Sequence, residues 1–339
     1  MPGDGELTLG IDVGGTKMLG LALGPDGTVL AERRVPSPQP LPGHHPDPLV
    51  TEAILDDLAV MVDELCSAVA AGGGPEPAAV GVGMPGLVDA SGTLRVAPNL
   101  PAGDGLAVSR LLAERTGRQV VTDNDATCAT VAEWALGAAI GADDVLMAAL
   151  GTGIGGGIVS GGRVVRGAQG FAGEIGHTVV DPRGPLCTCG RRGCWERFAS
   201  GSGLARLARE VAHAGRLADV VERAGGDPEA VRGEHVTAAA VAGDGEARAV
   251  LEELAWWVAL GLANLCAVLD PALVVLGGGL VEAVTLVLPT IRTTFVSMLE
   301  GASQRPEIGI VPAALGERAG AIGAALAARH DDRTGIARS

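Results

Sequence analysis

Basic residues are scarce in this sequence: 25 Lys and Arg stand against 40 Asp and Glu, a formal net charge of −15 over 339 residues. The acidic residues are spread along the chain rather than gathered in a tail. That balance argues against nucleic acid and anionic membrane surfaces as main partners. It leaves room for a phosphorylated ligand, because backbone N–H groups bind phosphate without net positive charge. A long hydrophobic run is also missing. The longest apolar stretch, residues 255–269, is interrupted by Asn264 and stops at Asp270-Pro271. It falls short of the roughly 20 residues that span a bilayer, so it reads as a buried helix. The opening MPGDGELTLG has no basic segment followed by an apolar one, so no signal peptide is expected. The expected setting is cytoplasmic, where the six cysteines stay reduced and clustered thiols suggest a metal rather than disulfides.

What is present is enough chain for two domains, with 47% hydrophobic residues to fill a core. The 53 glycines are about double ordinary usage, but they sit beside Val, Ile and Leu runs, which points to tight turns in a folded α/β chain. Residues 7–35 read as three strands separated by a Gly turn and a Pro-Asp-Gly turn. The proline-rich segment 35–48, with His44 and His45, reads as an irregular surface loop, and the two histidines as solvated. Helical periodicity follows over 49–71, then a buried strand in AAVGVGMPG, a short helix ending at Gly117, the strand QVVTDND and a helix ending at Gly137. Residues 145–166 repeat the opening pattern of a glycine-bounded hairpin. That repeat suggests two related lobes, each offering a Gly-rich turn to a shared cleft. Residues 204–269 are mostly helical, PALVVLGGGL is a buried strand ending in glycines, and AGAIGAALAARH is a terminal helix.

Four motifs carry chemistry. Asp12, Gly14, Gly15, Thr16 and Lys17 form D-x-G-G-T-K at the first hairpin turn. Adjacent glycines let backbone N–H groups approach an anion, Thr16 adds a hydroxyl, and Asp12 can position a hydrated Mg²⁺. Gly151, Thr152 and Gly153 open a second such turn, GTGIGGG. It matches G-x-G-x-x-G, but a dinucleotide fingerprint requires a helix next, and the following GIVSGGRVV is β-like, so a second phosphate-holding hairpin fits better. His177, Cys187, Cys189 and Cys194 are spaced H-x9-C-x-C-x4-C, a Cys3His set suited to tetrahedral structural Zn²⁺. Asn124-Asp125 follows a strand and precedes a helix, so the pair is equally a proton acceptor for a substrate hydroxyl or a helix N-cap. Asn99 lies in a Pro-bounded turn, and Glu174 and Glu196 flank the cysteine segment, where they are candidates for binding a polar ligand. Cys66, Cys128 and Cys266 lie in apolar helices and read as core.

Together DVGGTK, GMPG, APNLP, NDA, LGTGIGGG, GEIGH, CTCGRRGCWERFASG and VVLGGG resemble the ROK family of bacterial sugar kinases and repressors, from about Leu9 to Ala325. Within it the actinobacterial glucokinases are most similar. The resemblance implies a duplicated α/β fold of the actin-like ATPase (hexokinase, ribonuclease H-like) class, two lobes around a cleft. The lobes are expected at 1–122, with 315–339 returning to it, and at 123–314, with the zinc loop. It implies ATP-dependent phosphorylation of a hexose at the 6-hydroxyl, with glucose to glucose 6-phosphate, a glycolytic step, as the leading reaction. Asp125 would be the general base, and Asn99, Asn124, Glu174, His177 and Glu196 would hold sugar hydroxyls. His177 would place one ring nitrogen on zinc and the other towards the sugar. The turns at Gly14, Gly15 and Thr16 and at Gly151, Thr152 and Gly153 would cradle phosphates, and Gly277, Gly278 and Gly279 would lie against adenosine. Mg²⁺ would arrive with ATP, and a homo-dimer or tetramer is expected. Where relatives carry another Asn after Asn-Asp-Ala, this chain has Thr127.

The alternatives are a kinase for N-acetylmannosamine, fructose or allose, a polyphosphate-dependent kinase, and a sugar-sensing repressor. Polyphosphate-using relatives lack the cysteine cluster. Repressors place a DNA-binding segment before the first phosphate motif, which starts here at Asp12.

Overall fold

The computed structural model describes residues 6–38, 48–97 and 105–329. Asn99, His44 and His45 lie outside the described residues. The chain opens with β1 (Thr8–Val13), β2 (Lys17–Leu23) and β3 (Val29–Pro36), then α1 (Pro48–Ala71) and β4 (Val80–Met84). A small hairpin, β5 (Leu87–Val88) and β6 (Leu94–Val96), precedes α2 (Val108–Thr116), β7 (Val120–Asn124) and α3 (Asp125–Leu136). The second half runs through β8 (Val145–Leu150), β9 (Ile154–Ser160), β10 (Arg163–Val164), α4 (Glu196–Ala199), α5 (Gly201–His213), α6 (Ala218–Arg223) and α7 (Gly233–Val241). It closes with α8 (Gly245–Leu269), β11 (Leu273–Gly277), α9 (Val281–Met298), β12 (Gly309–Pro312) and α10 (Ala319–Arg329).

The two sheets have the same plan. One has the order β3-β2-β1-β4-β7 and the other β10-β9-β8-β11-β12, so each reads third, second, first, fourth, fifth. In the first, β1 and β2 and then β2 and β3 pair antiparallel, while β1, β4 and β7 are parallel. In the second, β9 and β10 are antiparallel, and β8, β11 and β12 parallel. The weak repeat of glycine-bounded hairpins is therefore a repeat of topology.

The central strands β1 and β4 of the first sheet are buried on both faces, so their apolar residues run continuously, whereas the edge strand β3 carries Glu32, Arg33 and Arg34. On β2, Met18 and Ala22 join the core beneath α1 and α2, while Leu19, Leu21 and Leu23 join the core beneath α3 and α10. Glycines let α10 come close. A Cβ on Gly10 would lie 1.9 Å from the carbonyl oxygen of Ala321, and one on Gly81 would lie 1.8 Å from that of Ala324.

The chain divides into two compact units, Met1–Ala142 with Gly157–Gly173 and Ala314–Ser339, and Asp143–Gly156 with Glu174–Ala313. The break expected at 122/123 thus comes later, because α3 packs on α10 and shares a core with β2 in the first unit. The hairpin return at 157–173 is also grouped there. Two helices of the second unit, Gly245–Leu269 and Val281–Met298, are long and apolar enough to cross a membrane by length and composition. The first extends the apolar run of 255–269 upstream through Glu246, Arg248, Glu252 and Glu253, and buries Leu251, Leu254, Val258 and Leu262 in the core.

Candidate active site

The first unit carries the D-x-G-G-T-K turn and the Asn124-Asp125 pair. Asp12 lies on β1, paired across the sheet with Gly83, which is in turn paired with Asp123. A Cβ on Gly83 would stand 3.5 Å from both Asp12 Oδ1 and the Cα of Asp125, so the strand ends bring these acids together. Burial, and then the charge of Asp125, push the Asp12 carboxyl up to about 7, with Lys17 pulling in the other direction. Room for that carboxylate comes from Gly320 of α10, whose Cβ would lie 2.5 Å from Asp12 Cγ.

The Asn124-Asp125 pair divides its work. Asn124 is the N-cap of α3: its Oδ1 accepts the N–H of Thr127 at 3.0 Å, and its Nδ2 donates to the Gly86 carbonyl at 3.1 Å. Thr127, the departure from the family pattern, supplies a backbone N–H to that cap. Asp125 is the first residue inside the helix and half-buried, and its Oδ1 accepts the N–H of Ala126 at 2.8 Å. Sequence reasoning missed the group behind them. Asp123, 4% exposed, accepts Arg166 Nε at 2.8 Å and the Asn124 N–H at 2.9 Å.

Gly15, Thr16 and Lys17 are exposed at the turn, and Gly14 is half-buried. Ser37 fixes the turn from behind: its Oγ donates to the Gly14 carbonyl at 2.6 Å and its N–H to the Thr16 carbonyl at 3.0 Å. No pattern near the motif marks Ser37. Lys17 Nζ pairs with Glu317 at 2.5 Å, and Arg34 reaches the same carboxylate at 3.1 Å.

In the second unit, Gly151, Thr152 and Gly153 join β8 to β9, so a strand follows the glycines where a dinucleotide fold would need a helix. Beside them Gly278, at φ 88°, occupies a place where a Cβ would lie 2.5 Å from the Leu150 carbonyl oxygen, so only glycine fits. A Cβ on Gly151 or on Gly279 would meet no protein atom within 4 Å. These two glycines border open space on adjoining turns, because the Leu280 N–H donates to the Leu150 carbonyl at 2.8 Å. Such an open backbone ledge fits the approach of a nucleotide.

The cysteine segment folds as a tight loop. Cys187 N–H donates to the Arg191 carbonyl at 2.8 Å, and Gly190 and Gly193 turn the chain at φ 85° and 70°. Trp195, fully buried, anchors the loop through Nε1 to the Trp257 carbonyl on α8 at 2.7 Å. The ligand atoms of His177, Cys187, Cys189 and Cys194 lie within 4.8 Å of one another. Cys187 Sγ is 3.7 Å from His177 Nδ1 and Cys189 Sγ is 3.5 Å from Cys194 Sγ. A tetrahedral centre about 2.3 Å from each sulfur would space two of them by about 3.8 Å, so the donor set fits zinc. Burial, and then the hydrogen bond to Glu196, push Cys187 up to about 12. Against its own burial, Cys189 is lowered to about 6 by Arg191.

Two carboxylates adjoin this cluster. Glu196 Oε1 accepts the Cys187 thiol at 2.9 Å and lies 3.7 Å from His177 Nδ1, while His177 Nε2 lies 3.9 Å from Glu174 Oε2. Burial raises the Glu174 carboxyl, partly offset by His177 and reinforced by Glu196. The arrangement leaves Nδ1 beside the Cys187 thiol and Glu196, and Nε2 beside Glu174.

Known proteins share this sequence pattern and fold. The ROK family profile matches residues 8–331. The glucokinase of Streptomyces coelicolor is 38% identical over 329 residues, covering 96% of this chain and 98% of that protein. Among solved structures, the ROK family glucokinase from Streptomyces griseus in complex with glucose and AMPPNP is 38% identical with a TM-score of 0.80, covering 95% of this chain and 99% of that one. The ROK hexokinase from Thermus thermophilus is 33% identical with a TM-score of 0.76, covering 95% and 97%. The duplicated α/β architecture is accordingly the actin-like ATPase fold, and the chain belongs to the ROK family.

Proposed function

We propose that this protein transfers the γ-phosphoryl group of ATP to the 6-hydroxyl of a hexose, with glucose as the hexose. The observation that carries the reading is the 38% identity, over 95% of the chain, with a glucokinase holding glucose and AMPPNP. The chain's own residues suit that chemistry, in which positioning and charge stabilisation do most of the catalysis. Asp125 takes the proton of the attacking hydroxyl. Asn99, Asn124, Glu174, His177 and Glu196 orient the remaining hydroxyls. The N–H groups of the turns at 14–16 and 151–153 hold phosphate oxygens, with Lys17 at the edge of the first. Gly277, Gly278 and Gly279 receive the adenosine, and Asp12 orients Mg²⁺, which when bound neutralises charge on the phosphates.

His177, Cys187, Cys189 and Cys194 hold structural zinc in this reading, which supplies rigidity to the loop that carries Glu196. Ligation through Nδ1 leaves Nε2 for a sugar hydroxyl. Six cysteines, three of them clustered as zinc ligands, and the use of ATP agree with a cytoplasmic enzyme. The family resemblance adds a homo-oligomer, which light scattering can test. A coupled assay of ADP release across glucose, N-acetylmannosamine, fructose and allose decides the substrate. Glucose should give the highest kcat/KM. Release no faster with any hexose than without one sinks the reading, and a higher kcat/KM for another sugar replaces glucose.

A further inference from the structure

Several hydrogen bonds meet at the start of α5. Ser200, fully buried, is its N-cap: Oγ accepts the Gly203 N–H at 3.1 Å and donates to the carbonyl of Glu196 at 2.5 Å. The same Oγ lies 3.0 Å from Ser202 Oγ. The next two amides leave the helix. Gly201 N–H donates to the Gly151 carbonyl at 2.8 Å and Ser202 N–H to the Thr152 carbonyl at 3.3 Å.

That pattern has a directional effect. In a trans peptide the C=O and the N–H of one unit point in opposite directions. Drawing the carbonyls of Gly151 and Thr152 onto α5 therefore turns the N–H groups of Thr152 and Gly153 away from it. The positive end of the α5 dipole reinforces the hold on those carbonyls. The turn also meets Glu196 directly, since a Cβ on Gly153 would lie 2.5 Å from Glu196 Oε2. Two contacts thus tie the turn to Glu196, one through Ser200 and the α5 amides and one at Gly153.

We propose that Ser200 and the first turn of α5 form one joint that positions both the nucleotide turn at 151–153 and the sugar-facing Glu196. Ser200 is a positioning residue for both substrates. The inference rests on the kinase reading, which assigns phosphate to the turn and sugar to Glu196.

Steady-state KM for ATP and for glucose, measured beside Tm, tests it. Ser200→Ala removes both hydrogen bonds of Oγ and should raise both KM values by on the order of tenfold. Ser200→Thr keeps the hydroxyl and the cap and should stay within about twofold of wild type. Gly201→Ala places a Cβ 3.0 Å from the Gly151 carbonyl and should raise the ATP KM while leaving the glucose KM alone. A Ser200→Ala protein with lowered Tm and both KM values unchanged overturns the joint. If Ser200→Ala fails to fold, Gly201→Ala decides alone, and an unchanged ATP KM overturns it. If the wild type shows no hexose-dependent ADP release, the kinase reading falls, and calorimetric titration of AMPPNP into wild type and Gly201→Ala still tests the hold on the turn: equal affinities overturn it.

Discussion

Asn124 and Asp125 are neighbours of similar shape, and one residue of helical phase gives them different tasks. Asn124 uses one N–H and one lone pair of its amide on the fold, capping α3 and holding Gly86, and keeps its second N–H for a ligand. Asp125 gives one oxygen to the next amide. The sequence alone leaves the pair open between cap and base, because both readings want the same residue types before a helix. Asp125→Asn should lower kcat on the order of 10²–10⁴-fold with Tm preserved, as loss of general-base catalysis; near-normal turnover in a folded variant rejects the assignment. The cysteine set is more legible, since ligand spacing within eighteen residues is a local property. Cys189→Ala should abolish stoichiometric zinc in metal analysis and raise the glucose KM, with ATP KM little changed. An unchanged glucose KM in the zinc-free variant removes the link between loop and sugar. Lys17 was less legible: its partner Glu317 lies 300 residues away.

At the scale of elements, α10 shows what periodicity can and cannot tell. Its sequence of small residues announces a helix, but not that a Cβ on Gly323 would lie 1.6 Å from the Cys128 carbonyl of α3. Gly323→Ala should cost about 3 kcal/mol, since backbone on either side must move, and chemical denaturation reads the loss directly. The β5–β6 hairpin offers a test by pH. Burial would raise the Asp89 carboxyl, but Ser91, the Thr93 N–H and Arg95 outweigh it and lower it to about 2. Its ordinary value is 3.8, so the hairpin's stabilisation is present above that pH and is lost as pH falls towards about 2. Asp89→Ala should therefore lower Tm at neutral pH, with the gap to wild type closing below pH 3.8. A gap that stays constant with pH contradicts this account.

For the whole molecule, the duplicated topology was visible in the two glycine-bounded hairpins, whereas the place of α3 was not. α3 belongs with the first unit because of a helix nearly two hundred residues downstream, and no local signal carries that. The units can be followed separately because the chain has no tyrosine, and of its four tryptophans Trp134 alone lies in the first unit. In Trp134→Phe, tryptophan fluorescence reports on the second unit, which holds Trp195 beside the cysteine loop. A chelator should lower the fluorescence-detected melting temperature of that variant, since bound metal contributes folding free energy. No change on chelation removes zinc as a support of that unit.

The glycine-lined packing of α10 also bears on how the chain is made. β1, β4 and α3 leave the ribosome early, but the helix that fills the groove among them is encoded at residues 319–329. All of 143–313 is synthesised in the meantime. The unit that is translated first is thus the last to be completed, and its bare sheet face must be shielded from other nascent chains until synthesis is nearly over.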